Sequence, residues 1–327
     1  MRAEPRRSLS APVLERIVRA AFPRCRVLSV ESLGNGLRNA NFKLQLDPVP
    51  EPVVLRIYEH HASLCQKEID LMRMVGGSLP VPEVIRAEPR GRENLPPFML
   101  TRWVDGITFH DLKRSGDADA IAQAAHAAGE VLAAIGRFQF SKPGWLAPGP
   151  TVGPPLLEGA DPVPRFVDLC LASDNLQRRV PADLRDLTHA VVWSYAPRFA
   201  TLAGEACLVH GDFNKRNLLV RRMTGRWSVA AILDWEFAVS GSPLADLGSF
   251  LRYERTSRPL AEPHFSAGYE RAGGRLPHGW RRLARLADFA ALCESLTHEE
   301  LPDAVTAELV ELVRATIEDR DVWTSNT

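Results

Sequence analysis

The chain has 327 residues, 45% of them hydrophobic, with forty Lys and Arg balancing forty Asp and Glu for a formal net charge of zero. That length exceeds the size at which a single core stops growing, so two lobes are expected, divided as 1–103 and 104–327. The charge balance argues against wholesale binding of nucleic acid or an anionic membrane. No apolar run reaches the length of a membrane span, and the basic N-terminus lacks the apolar core of a signal sequence.

Residues 10–22 read as a short helix, with Ser10 as its cap and Pro12 early in it. Residues 27–33 and 41–46 read as strands joined through a turn at Gly34-Asn35-Gly36. Residues 52–58 form a third strand, apolar except at Arg56. Residues 62–75 read as a helix ended by Gly76-Gly77, and 81–85 and 97–104 as further short strands. Antiparallel strands with one helix make the smaller lobe. Beyond Asp105-Gly106 helical patterns take over, at 117–138, 165–178, 183–202, 245–254, 259–272, 280–294 and 304–319. A Pro- and Gly-rich loop at 141–164 is long for a compact domain. The fold class is therefore α+β, with a small antiparallel β lobe and a larger, mainly helical one. The five cysteines, scattered and without C-x-x-C spacing, read as reduced thiols of a cytoplasmic protein.

The chemistry is concentrated in His210-Gly211-Asp212-Phe213-Asn214-Lys215-Arg216-Asn217, followed seventeen residues later by Asp234. Asp212 can orient and deprotonate a hydroxyl, while Asn217 and Asp234 offer the hard oxygen ligands that Mg²⁺ takes alongside phosphate oxygens. The spacing His-x-Asp-x₄-Asn is that of a kinase catalytic loop, and the later Asp matches the metal-binding Asp of that template. Residues 218–222 and 227–233 are expected to form a hairpin. Met223-Thr224-Gly225-Arg226 reads as its turn; folded about the midpoint between Gly225 and Arg226, the hairpin sets Asn217 opposite Asp234, with both beside Asp212.

In the small lobe, Gly34 and Gly36 can bring backbone N–H groups close to phosphate oxygens. Glu68 lies on the same helix face as Leu64, Leu71, Met72 and Val75, and a buried carboxylate needs a partner. Arg56, charged within an apolar strand, is the expected one, held by Glu68 toward the nucleotide phosphates.

These stretches resemble the aminoglycoside phosphotransferase family, in the wider protein-kinase-like group that includes choline kinases. The resemblance is carried by residues 35–42, Val54-Leu55-Arg56-Ile57-Tyr58, residues 97–106, Leu208-Val209-His210-Gly211-Asp212 and Ile232-Leu233-Asp234-Trp235-Glu236. It also takes in Gly241-Ser242-Pro243-Leu244-Ala245-Asp246-Leu247. It implies a bilobal kinase-like fold with ATP or GTP and Mg²⁺ between the lobes. Asp212 is then the catalytic residue and Asn217 and Asp234 the metal ligands. Gly34, Gly36, Asn39, Arg56, Glu68, Thr101, Arg102 and Val104 are then on the nucleotide, with the backbone of Arg102 and Val104 toward the purine. His210 and Asp246 are expected to orient the catalytic loop. Lys215 and Arg216 depart from the small or acidic residues of many relatives. They are expected either to neutralise the transferred phosphoryl group or to be solvated.

The expected reaction is Mg-dependent transfer of the γ-phosphoryl group of ATP or GTP to a hydroxyl of a small molecule. A non-catalytic nucleotide-binding scaffold and a protein kinase are the alternatives. The protein kinase is disfavoured because Asp246 follows Asp234 by only twelve positions, with no Ala-Pro-Glu between them. The acceptor is left open. Asp161, Asp168 and Asp174, or the stretch Glu294, His298, Glu299, Glu300 and Asp303, could bind a cationic acceptor. They read equally as a solvated helix face or a capping turn.

Overall fold

The computed structural model describes residues 10–35, 39–58, 62–92, 95–155, 157, 161–254 and 256–318. They fall into two compact units. The smaller runs to Gly106 and takes in Ala147–Thr151 and Ala230–Glu236; the larger holds Ile107–Leu146, Val152–Val229 and the chain from Phe237 on.

The smaller unit is built on one antiparallel sheet. Its elements are α1 (Ala11–Ala21), β1 (Arg26–Asn35), β2 (Asn39–Asp47), β3 (Val53–Tyr58), α2 (Ala62–Val75), β4 (Val84–Glu88) and β5 (Phe98–Arg102), with strand order β1-β2-β3-β5-β4. Alternation along β2 buries Phe42, Leu44 and Leu46. They pack with Val53, Leu55 and Ile57 of β3, Phe98 and Leu100 of β5, and Leu14, Ile17 and Val18 of α1. The expected helix 62–75 is α2, residue for residue. Three local readings are corrected. Ser10 stands at the N-cap of α1 but its side chain makes no capping bond. The strand expected at 81–85 begins at Val84, after Pro80 and Pro82. And β1 continues through Gly34 to Asn35, while Gly36 lies outside the described residues.

The larger unit is mainly helical. In chain order it holds β6 (Ile107–Thr108), α3 (Phe109–Ser115), α4 (Ala118–Ile135), β7 (Gly144–Ala147), β8 (Thr151–Val152), α5 (Pro162–Leu171), α6 (Asp174–Arg179), α7 (Ala182–Ser194) and α8 (Ala196–Ala200). There follow β9 (Cys207–Val209), β10 (Leu218–Met223), β11 (Arg226–Ile232), a 3₁₀ turn at Trp235–Phe237, β12 (Val239–Gly241), α9 (Leu244–Leu251), α10 (Glu262–Arg271), α11 (Trp280–Thr297) and α12 (Asp303–Ile317). The end of β7, the first residue of β8 and the last three residues of β11 belong to the smaller unit. Helix α9 is held against α11 at Gly248, where a Cβ would run into the Ala284 carbonyl oxygen. The stretch 141–164, expected to be an unstructured loop, contributes β7 and β8 to a sheet of order β8-β7-β12-β9. The helix expected at 165–178 is two, because the chain breaks at Ala172-Ser173 and restarts with Ser173 at the N-cap of α6. Among the described residues no helix is long and apolar enough to cross a membrane, and all five cysteines are free thiols.

Candidate active site

The catalytic-loop candidates lie in the larger unit, between β9 and β10. Asp212 is fixed by two carboxamides: Asn214 Nδ2 donates to its Oδ1 (2.7 Å), and Asn217 Nδ2 donates to its Oδ2 (2.7 Å) and to its main-chain oxygen (3.0 Å). Asn214 also accepts the Arg216 N–H on its Oδ1 (2.8 Å), closing the loop on itself. Upstream, the buried Asp246 at the start of α9 accepts the N–H groups of His210 (2.7 Å) and Gly211 (2.9 Å). Burial pushes the Asp246 carboxyl up to about 7, although both N–H groups favour its ionised form. His210 is fully buried and its Nδ1 accepts the Asp212 N–H at 3.3 Å. Gly211 has φ +82°, and a Cβ there would collide with the Phe237 carbonyl, so no other residue fits without movement. The brace expected of Asp246 is thus present as two backbone hydrogen bonds.

Neither expectation for Lys215 holds. The side chain is buried, its Nζ lies 3.0 Å from Glu254 Oε1, and it donates to the Phe250 carbonyl. Arg216 is exposed.

The nucleotide-side candidates lie in the smaller unit. Antiparallel pairing sets Asn39 beside Tyr58 and Asn41 beside Arg56. The expected partners Arg56 and Glu68 do meet: Arg56 Nε is 3.2 Å from Glu68 Oε2, an ion pair without hydrogen-bond alignment. Arg56 Nη2 donates to Asp234 Oδ1 at 2.5 Å and lies 3.5 Å from Glu236 Oε2. Glu68 also accepts the Tyr58 hydroxyl and the Trp235 N–H (3.2 Å). Asn39 Nδ2 donates to Glu236 Oε2 (2.7 Å), and Lys67 Nζ to the Glu236 carbonyl (2.8 Å). Burial works against the Arg56 charge, but Glu68 and Asp234 outweigh it and push its pKa well up. Burial lowers Lys67 to about 8 against the pull of Glu236 and Glu68. Three acidic side chains, Glu68, Asp234 and Glu236, thus surround Arg56 and Lys67, and burial pushes the Glu68 carboxyl up against the pull of Arg56. Asp234 itself has φ +69°, a conformation uncommon outside glycine and enriched at functional sites.

Thr101 is buried on β5, and Val104 is half-buried just beyond it. The Arg102 N–H donates to the Glu83 carbonyl (2.9 Å) and its guanidinium pairs with the Glu83 carboxylate (2.5 Å). Gly34 lies on β1, and Gly36 lies outside the described residues.

The hairpin register needs correction. Strand β10 ends at Met223 and β11 starts at Arg226, with φ +48° at Thr224 and +86° at Gly225. Two positive-φ residues close a two-residue turn whose centre lies one residue before the one expected. The pairing of Asn217 opposite Asp234 does not follow from such a turn.

Among the described residues, no cluster of three His, Cys, Asp or Glu side chains stands ready to hold a metal alone. The donors fit Mg²⁺ nonetheless, because that ion is bound through one or two carboxylates together with phosphates and water. Of the acidic groups considered for an acceptor, Asp168 is engaged by Trp193 Nε1 (2.8 Å) and His189 Nδ1 (2.7 Å). The stretch after α11 is a capping turn, in which Arg179 donates to the carbonyls of Leu296 (2.7 Å), His298 (2.5 Å) and Glu299 (3.0 Å). Sequence reasoning missed Tyr58, Lys67, Asn214 and Glu254. Of these, Tyr58 and Asn214 stood inside stretches already singled out and Lys67 stood next to Glu68 on α2, while Glu254 carried no signal.

A family model described as "Phosphotransferase enzyme family" matches residues 29–286. The chain belongs to that family. No curated protein matches it. Among solved structures it is similar to a thermostable mutant of aminoglycoside phosphotransferase APH(4)-Ia in ternary complex with AMP-PNP and hygromycin B. There the TM-score is 0.67 at 20% identity, over 94% of this chain and 99% of that one. It is similar to the GDP complex of wild-type aminoglycoside 2'-phosphotransferase-IIIa, with TM-score 0.70 at 20% identity over 95% and 100%. It is also similar to the GDP and kanamycin complex of APH(2")-IIIa, with TM-score 0.69 at 19% identity over 94% and 98%. The fold is thus the kinase-like α+β fold of these phosphotransferases, and the chain is a phosphotransferase by family.

Proposed function

We propose that this phosphotransferase transfers the γ-phosphoryl group of ATP or GTP, with Mg²⁺, to a hydroxyl of a small molecule in the cytoplasm. The observation that carries the reading is the Asp212 carboxylate, held on both oxygens by Asn214 and Asn217 in a loop whose amides are gripped by Asp246. Phosphoryl transfer depends on positioning and charge neutralisation more than on covalent chemistry. Asp212 orients the acceptor hydroxyl and takes its proton. Asp234 and Asn217 would hold Mg²⁺, which would offset the charge of the phosphate oxygens. Arg56, held by Glu68, turns its fork to the phosphates. Asn39 steadies Glu236 next to them. The purine lies against Thr101; the Arg102 carbonyl accepts from it and the Val104 N–H donates, since the Arg102 N–H is already spent on Glu83.

The segment between Asp234 and Asp246 supports a small acceptor over a protein. It contains β12, which pairs with β7 on one side and β9 on the other. A strand paired on both edges is not a regulated peptide platform. Relatives of the same fold carry hygromycin B or kanamycin. We infer that a hydroxylated, cationic molecule of this kind is a candidate acceptor for this chain too.

The test is ADP or GDP formation with Mg²⁺ across aminoglycosides, macrolides, choline, homoserine and sugars, for the wild type and Asp212→Ala. Loss of a positioned acid–base group costs about 10²–10⁴ in rate. Asp212→Ala is expected to fall by that factor with nucleotide binding retained. Near-normal turnover in the variant removes Asp212 from the mechanism, and binding without transfer to any acceptor leaves a scaffold.

A further inference from the structure

Lys215 stands between Asp212 and Asn217, yet its ammonium points into the protein. The residue is 8% exposed. Its Nζ lies 3.0 Å from Glu254 Oε1 and 4.7 Å from the centre of the Phe250 ring, and donates to the Phe250 carbonyl. Its main-chain carbonyl accepts the His110 N–H at 2.9 Å. Glu254 is fully buried and also holds Lys113 Nζ (3.3 Å) and the Ala261 N–H (2.7 Å). A buried ammonium is tolerated only where it is paired and hydrogen-bonded. A loop segment tied to such a pair cannot move outward without uncovering the charge.

The geometry makes α9 a two-point mount. Asp246 in its first turn holds the amides of His210 and Gly211. The Phe250 carbonyl in its last turn, with Glu254 just beyond, holds Lys215. Asp212 lies between the two grips. We propose that the Lys215–Glu254 pair is a positioning device that fixes the distal end of this loop and thereby the direction of the Asp212 carboxylate. Its effect on rate rests on the kinase reading above; its effect on the loop does not.

The charges choose the variants. Two cations share one anion, so replacing either lysine with methionine leaves one cation facing Glu254. Lys215→Met and Lys113→Met thus take the same charge from the same cluster, and only the first releases the loop. Glu254→Gln would strand two buried ammonium groups and is avoided. The experiment compares the two methionine variants with the wild type as full chains. It measures amide hydrogen exchange over residues 211–217, ADP or GDP formation from Mg-ATP or Mg-GTP with the acceptors named above, and the Kd for ADP. Lys215→Met is expected to speed exchange in that segment by about tenfold or more, while Lys113→Met leaves it unchanged. It is expected to lower kcat by about 10²-fold, the cost of a displacement near 1 Å, with the Kd for ADP unchanged. Equal exchange in the two variants, or equal turnover, overturns the proposal. A wild type that forms neither ADP nor GDP with any of those acceptors overturns the kinase reading instead, and exchange still decides the clamp.

Discussion

Arg56 Nη2 sits 2.5 Å from Asp234 Oδ1 while its Nε sits 3.2 Å from Glu68 Oε2. One guanidinium thus spans two carboxylates brought together from a helix and from the segment just after β11. A fork with separated nitrogens can do this; an ammonium is a single point. Arg56→Lys is therefore expected to keep a positive charge yet lose one of the two contacts. Steady-state kinetics should show a fall in kcat/KM, and an unchanged value would mean that Arg56 does not touch the nucleotide. Arg56→Met would leave Glu68 and Asp234 without their shared cation, at a cost of about 3–5 kcal/mol in stability, readable in denaturant unfolding.

Gly211→Ala should damage stability and activity together. The positive φ costs an alanine about 1–2 kcal/mol, and the collision with the Phe237 carbonyl adds about 1–3 kcal/mol. Thermal unfolding should show a clear drop in Tm, and an unchanged Tm would mean that the loop can rearrange freely at this point.

Asp246 sets a pH dependence. Its folded pKa, about 7, stands above the unfolded carboxylate value near 4, so the native state holds this proton more tightly. The contribution to stability is complete below about pH 4 and is lost as pH rises to about 7. Asp246→Asn cannot titrate, so its stability should decline less over that window than the wild type's. Parallel stability–pH curves would show that Asp246 titrates normally.

Thr224 is a β-branched residue held at φ +48° in the turn of the β10–β11 hairpin. Asparagine tolerates that region better and is the favoured partner of the following glycine in such turns. Thr224→Asn should stabilise the protein by up to about 1 kcal/mol without changing kcat. A lower Tm would argue against the turn type.

Much of the site was legible from residue order alone. The spacing of His210, Asp212 and Asn217, and of Asp234 beyond them, carries the candidate chemistry because such a loop is local in sequence. Helix α2 could be bounded to the residue, and its buried Glu68 demanded a cation that only Arg56 could supply within β3. In both cases the informative pattern lies within one or two turns or strands. Periodicity and the cost of an unpaired buried charge are enough to read it.

Other features were set at longer range. Strands of two or three residues, such as β6, β8 and β12, have no room for a periodic pattern and exist only because a partner strand lies alongside. The hairpin register turned on whether Thr224 would accept a positive φ, which its identity argues against. Lys215 read as a phosphoryl neutraliser or a solvated charge because the one acidic residue near it in sequence, Asp212, was taken up by the candidate chemistry. Its partner Glu254 is 39 positions away, and tertiary packing alone brings the two together. The residues proposed for the chemistry were thus written locally. The residues that hold them still were chosen by the folded chain, because burial of a charge is a property of everything packed around it.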